Sequence, residues 1–138
     1  MNDLTQLAST AYNRAFELVE EGKDEDVLEG LELAATSLNL WRRVGTDKNV
    51  AIGLWLYSRA LTKAGARGLA ITAATECVRL AKIDATDWLV ASSLEGFARA
   101  VKNTDAFAQA CAAAEEAISR ISDPDDRKLI ADQFSDLR

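Results

Sequence analysis

Arg59 and Arg99 stand forty residues apart, and Glu95 lies one helical turn before the second of them. A guanidinium is a planar fork of donors that can hold a carboxylate through two parallel hydrogen bonds. Each arginine could therefore grip a ligand carboxylate, or an intrachain partner such as Glu17 or Glu95. Glu95 could serve as a base only if it met Arg59 and Arg99 in a deep cavity. Other chemistry is thinly supplied. The chain has no His, which removes serine triads, imidazole bases and His-containing metal sites. Cys77 and Cys111 fall among Ala and Val, where a free thiol behaves as a small buried hydrophobe, and two separated Cys do not make a structural zinc site. The acidic runs Glu20-Glu21, Asp24-Glu25-Asp26 and Asp123 to Asp126 lack the alternating ligands and central Gly of a calcium loop. The second and third runs sit where helices begin, and there acidic residues cap. Gly65 and Gly68 flank a helical turn and form no phosphate loop. No catalytic residue, metal or cofactor is expected, and the chain is not expected to be an enzyme.

The elements that would position these residues follow from periodicity. Apolar residues at three- and four-residue steps predict a first helix from Asn2 or Asp3 to near Gly22, and a second from a Lys23-Asp24 cap to Val44-Gly45. Thr46 or Asp47 should cap the third, which ends at Gly65; the fourth carries Ala70, Ala74, Cys77 and Ala81. Thr86 or Asp87 should cap the fifth, with Asn103 near its stop, and a sixth runs through Ala110 to Ile121. Asp123 as N-cap with Pro124 at the first position opens a seventh.

An internal repeat organises these helices. Residues 46–81 align with 86–121, and twelve of the thirty-six positions are identical, among them Thr46/Thr86, Asp47/Asp87, Leu54/Leu94 and Arg59/Arg99. The first hairpin joins at an offset of forty-three, with Gly22 on Gly65 and Ala8 on Ala51. Repeats of this period are stacked supersecondary units, none able to bury its apolar face alone. The expectation is an all-α fold in one domain, 1–138: antiparallel helical hairpins at about 3–44, 46–83 and 86–122, and a capping helix at about 124–137.

Small residues recur where the two helices of a unit would cross, at Ala15, Ser58 and Ala98 and again at Ala34, Cys77 and Ala117. Large ones follow at Leu18, Leu61 and Val101. With these features the chain resembles the tetratricopeptide repeat, in its forty-residue variety found in bacterial regulators and eukaryotic adaptors. Leu40 to Thr46 has the look of an inter-repeat linker, and the C-terminal stretch is similar to small uncharacterised bacterial proteins. The resemblance implies a right-handed αα-superhelix whose first helices line a concave, protein-binding surface. Carried onto this chain, that surface includes Tyr12, Asn13 and Phe16, then Ile52, Trp55, Leu56 and Arg59, then Ser92, Glu95, Gly96 and Arg99. Chaperone-binding relatives hold a C-terminal carboxylate there with Lys and Asn; this chain has Tyr12, Phe16, Leu56, Ser92 and Gly96 instead.

The expected function is a non-catalytic interaction module whose partner-binding candidates are Tyr12, Phe16, Ile52, Trp55, Leu56, Arg59 and Arg99. Trp55 and Tyr12 would anchor an apolar or amphipathic peptide; alternatively, Trp55, Leu56 and Phe16 pack within the stack or beneath the final helix. A second reading is self-association, in which an apolar patch is buried against its own copy. A formal charge of −6 without a basic stripe argues against nucleic acid. The first residues lack the basic and apolar regions of a signal peptide, and no run is long enough to span a bilayer, so the cytoplasm is the expected location.

Overall fold

The computed structural model describes residues 3–137. Among them seven α-helices and three short helical turns account for the regular structure, with no strand: α1 (Asp3–Phe16), α2 (Val27–Val44), α3 (Asp47–Lys63), α4 (Arg67–Asp84), α5 (Asp87–Ala100), α6 (Phe107–Ser119) and α7 (Pro124–Phe134). A π-type turn, Glu17–Glu21, prolongs α1, a 3-10 turn at Asp24–Asp26 leads into α2, and another at Ser135–Leu137 follows α7. Each helix packs on its successor, and α3 also meets α5 while α5 meets α7. No helix is long and apolar enough to cross a membrane.

The helix ends follow local chemistry, with informative departures. Thr46 caps α3 as expected: its hydroxyl accepts from the Asn49 N–H, and the Asn49 side chain accepts from the Thr46 N–H at 3.0 Å. Asp123 accepts from the Asp125 N–H at 2.8 Å, with Pro124 at the first position of α7. The equivalent Thr86 does not cap α5 through its side chain; its hydroxyl instead donates to Asp84 at 2.5 Å. Asp87 is likewise diverted, accepting from the Ser122 N–H and hydroxyl at 3.0 and 3.1 Å. That contact ties the start of α5 to the α6–α7 connection. Before α2 the reciprocal contact comes from Asp26, whose carboxylate accepts from the Lys23 N–H at 2.9 Å, rather than from a Lys23-Asp24 cap. Gly65 is left-handed, φ +80°, and so is Asn103 at +69°. Ala85, with no special signal in the sequence, also sits at φ +69°, a conformation that costs an L-residue about 1–2 kcal/mol. The opening position Asn2 lies outside the described residues.

Small residues let neighbouring helices approach closely enough for side chains to reach backbone across the gap. Ser37 donates to the carbonyl of Ala8 at 2.9 Å, Ser58 to that of Ala70 at 3.0 Å, and the Cys77 thiol to that of Ala51 at 3.2 Å. Ala15, Ala34, Ala70, Ala74, Ala98 and Ala114 are all buried. Cys77 and Cys111 are buried and free, and burial pushes the Cys77 thiol up to about 12. Two apolar clusters result, the larger spanning α1 to α5 and the smaller α5 to α7. Ile71, Trp88 and Phe97 pack against both and join them.

Candidate functional site

The repeat-equivalent arginines are brought together, and Glu95 lies between them. Glu95 is fully buried at 0% exposure. One carboxylate oxygen faces Arg59 Nη1 at 3.3 Å, and the other accepts from Arg99 Nε at 2.9 Å. Beyond Arg59 stands Glu20, which takes its Nε and Nη2 protons, the latter at 3.2 Å. Beyond Arg99 stands Asp136, whose oxygens accept from Nη1 and Nη2 at 3.0 and 2.8 Å. Arg99 also donates to the Gln133 carbonyl at 3.0 Å. The five side chains form an alternating row, Glu20–Arg59–Glu95–Arg99–Asp136, which joins the π-turn, α3, α5 and the last 3-10 turn. Burial works against the Arg99 charge, but the Asp136 hydrogen bonds and the nearby Glu95 outweigh it and hold the guanidinium above its usual range.

This row meets half of the condition for Glu95 as a base. The clustering with Arg59 and Arg99 is there; the open cavity is not. Both carboxylate oxygens are taken, and no solvent reaches the side chain. A carboxylate sealed and paired in this way lies out of reach of a bound molecule while the row stays closed. Among the described residues no group of three or more potential ligands could hold a metal ion.

Beside the row, the aromatic candidates form a continuous stack. Tyr12 and Phe16 lie 6.4 Å apart between ring centroids, and Phe16 and Trp55 6.3 Å. The Arg59 guanidinium lies over the Trp55 ring at 4.7 Å, within reach of a cation–π interaction. Gly96 makes room for the indole: a Cβ there would stand 3.2 Å from Trp55 Cδ1. Trp55 keeps 7% of its surface exposed, whereas Leu56 has none and belongs wholly to the core. Leu56 therefore meets no partner while the helices stay packed. Burial first, and then the charge of Glu20, push the Tyr12 phenol above its usual range.

A cleft of about 150 Å³ opens along this stack. Tyr12, Phe16, Ile52, Trp55 and Ser92, which the repeat alignment puts on the first helices of the units, line it. So do Trp88 and Leu89 of α5 and Leu129, Ile130 and Gln133 of α7, which were not among the expected surface residues. The apolar stripe of α7 is visible in the sequence, but no local signal says which helices it will cover. Asn13 opens instead onto a separate recess with Tyr12, Ile52 and Trp41.

Arg59 and Arg99 face a different hollow of about 240 Å³, with Lys63, Arg67 and Lys102 around it. This is a local basic concentration on an acidic chain, and it is answered from within. Lys63 donates to the Val19 carbonyl, Arg67 to the Lys102 carbonyl, and Arg99 to Asp136. A larger depression, about 590 Å³, lies elsewhere, between α2, α3 and α4, and is bordered by Leu38, Arg42, Tyr57 and Leu69. Comparison of the chain with protein-family models, curated proteins and solved structures finds no match.

Proposed function

We propose that the chain is a non-catalytic interaction module of tetratricopeptide-like build, three helical hairpins in a short right-handed solenoid closed by α7. Its partner is an apolar or amphipathic peptide segment received along α1, α3, α5 and α7. The observation that carries this reading is the aromatic cleft, where Tyr12, Phe16, Trp55 and Trp88 converge and Leu129 stands 58% exposed at the edge. Convergent aromatic side chains supply contact area at low entropic cost and are typical anchors of recognition. Sealing of Glu95 by two arginines supports a non-catalytic role. Selection of a displayed random peptide library on the purified chain tests the reading. Apolar-rich sequences should be retained, and Leu129→Glu, on an exposed face of α7, should lose them with unchanged circular dichroism. A library that yields no binder, or binders indifferent to Leu129→Glu, would overturn it.

Self-association is the second reading, favoured by the broad depression between α2, α3 and α4 and by exposed Leu28, Leu69 and Ile83 on α2 and α4. Two-fold pairing would cover such a face. Sedimentation across a concentration range decides it: a monomer throughout sinks self-association.

A further inference from the structure

Two hydrogen-bonding groups on residues that line the aromatic cleft have no partner. The Trp55 indole N–H is a donor and Gln133 Oε1 an acceptor; both atoms are shut from solvent and both residues line the cleft. They are the only side-chain nitrogen and oxygen atoms so stranded among the described residues. Buried polar atoms in native proteins are overwhelmingly paired, and an exception calls for an occupant. Turning the Gln133 amide over does not help. It exchanges a buried acceptor for a buried donor and leaves the indole as it was.

The size of the cleft limits that occupant. Small-molecule sites usually enclose about 300–1,000 Å³, and this cleft holds about 150 Å³. An apolar cavity of about that volume admits one benzene. It therefore suits one residue-sized apolar group rather than a whole cofactor, and the remainder of the occupant must lie outside, past the exposed Leu129. The two stranded atoms ask for an acceptor and a donor on the occupant. An extended peptide offers that pair on every residue, because its own carbonyl and N–H point the same way.

We propose that the cleft is a single-residue anchor site: it takes one leucine-sized side chain of an extended partner segment, whose backbone carbonyl accepts from Trp55 Nε1 and whose N–H donates to Gln133 Oε1. This rests on the interaction-module reading and adds the chemistry of the anchor. Ile52 and Ile130 supply the aliphatic walls, and Phe16 and Trp88 the aromatic ones.

The test follows the three indole N–H signals of the nitrogen-15-labelled chain by NMR, assigned through bonds, during titration with N-acetyl-leucinamide. The Trp55 signal should shift saturably. N-acetyl-alaninamide, which keeps the amide but lacks the apolar body, should bind at least tenfold more weakly. So should N-acetyl-leucinamide to Gln133→Met, which keeps the length of the side chain and loses the acceptor. Absence of a saturable shift, toluene binding as tightly as the capped leucine, or an unchanged affinity in Gln133→Met would each overturn the anchor. So would a long-lived water on the Trp55 indole that the capped leucine fails to displace. If the capped leucine fails while displayed peptides are still captured in a Leu129-dependent way, the anchor falls and the interaction module stands. If both fail, the module falls as well.

Discussion

Glu95 shows how one position can carry a repeat's divergence. In the alignment it faces Trp55, and its neighbour Gly96 faces Leu56. In space the contacts cross this alignment, with Gly96 against the Trp55 indole and Glu95 between Arg59 and Arg99. Removing one member of a buried ion pair strands the other charges and costs about 3–5 kcal/mol. Here two guanidiniums would face each other across the vacated charge, although Glu20 and Asp136 each retain one of them. Glu95→Gln should lower stability by about 3 kcal/mol, read from the urea midpoint at constant slope; a change under about 0.5 kcal/mol would show that the row contributes no net stability. The arginines and the glutamate were legible as candidates from residue type. Glu95 was also legible as one possible intrachain partner, and its contact with Arg99 is a local i,i+4 pair. That it pairs with Arg59 as well was not, because residues 59 and 95 meet only through the packing of α3 on α5.

Between elements, the contact of α3 with α5 depends on a missing side chain. Gly96 is the one glycine whose added Cβ would meet the Trp55 indole. The indole has little room to yield, with Phe16 stacked on it and Arg59 over its ring. Alanine at Gly96 would gain helix propensity against a tight contact, two effects of similar size. Valine adds two further methyls and stiffens χ1. Gly96→Val is therefore expected to destabilise by about 1–3 kcal/mol, measured by thermal or urea unfolding, and to displace the Trp55 fluorescence maximum. The helix caps show a related limit on local reading. The same Thr-Asp pair caps α3 but is recruited by Asp84 and Ser122 at the start of α5. Cap residues announce a helix start reliably, yet their side chains bond whichever partner the tertiary structure brings nearest.

At the scale of the whole molecule, the row from Glu20 to Asp136 ties the first unit to the last turn. Its outer end is pH-sensitive. The Arg99 hydrogen bonds hold the Asp136 carboxyl below the usual carboxylate range. A depressed folded-state value means that the tie contributes fully above the unfolded value of about 4 and is lost as pH falls through the lower folded one. Glu76, Asp84 and Asp87 are depressed in the same direction, so the acid stability of the parent chain reports all four carboxylates together. The difference between the parent chain and Asp136→Asn isolates this one. That difference should be constant from pH 7 to 5 and vanish in strong acid, measured by urea unfolding at each pH. A difference that grows on acidification would contradict the assignment. Asp136 is largely exposed, so solvent screening keeps the effect small.

Helix number and approximate limits were determined by the sequence alone, since apolar spacing, caps and Gly65, Asn103 and Pro124 act within one or two turns. The burial of the small residues expected at helix crossings was readable at Ala15, Ala34, Ser58, Cys77 and Ala98, whereas Ala117 stays partly exposed. Only the tertiary structure decided that Leu56 is core while Trp55 lines a cleft, that Glu95 joins both arginines, and that α7 supplies Leu129, Ile130 and Gln133 to the same cleft. The physical reason is range. Helix formation is settled by neighbours a few residues apart, whereas the cleft is assembled from segments more than one hundred residues apart, whose meeting depends on how every helix between them packs.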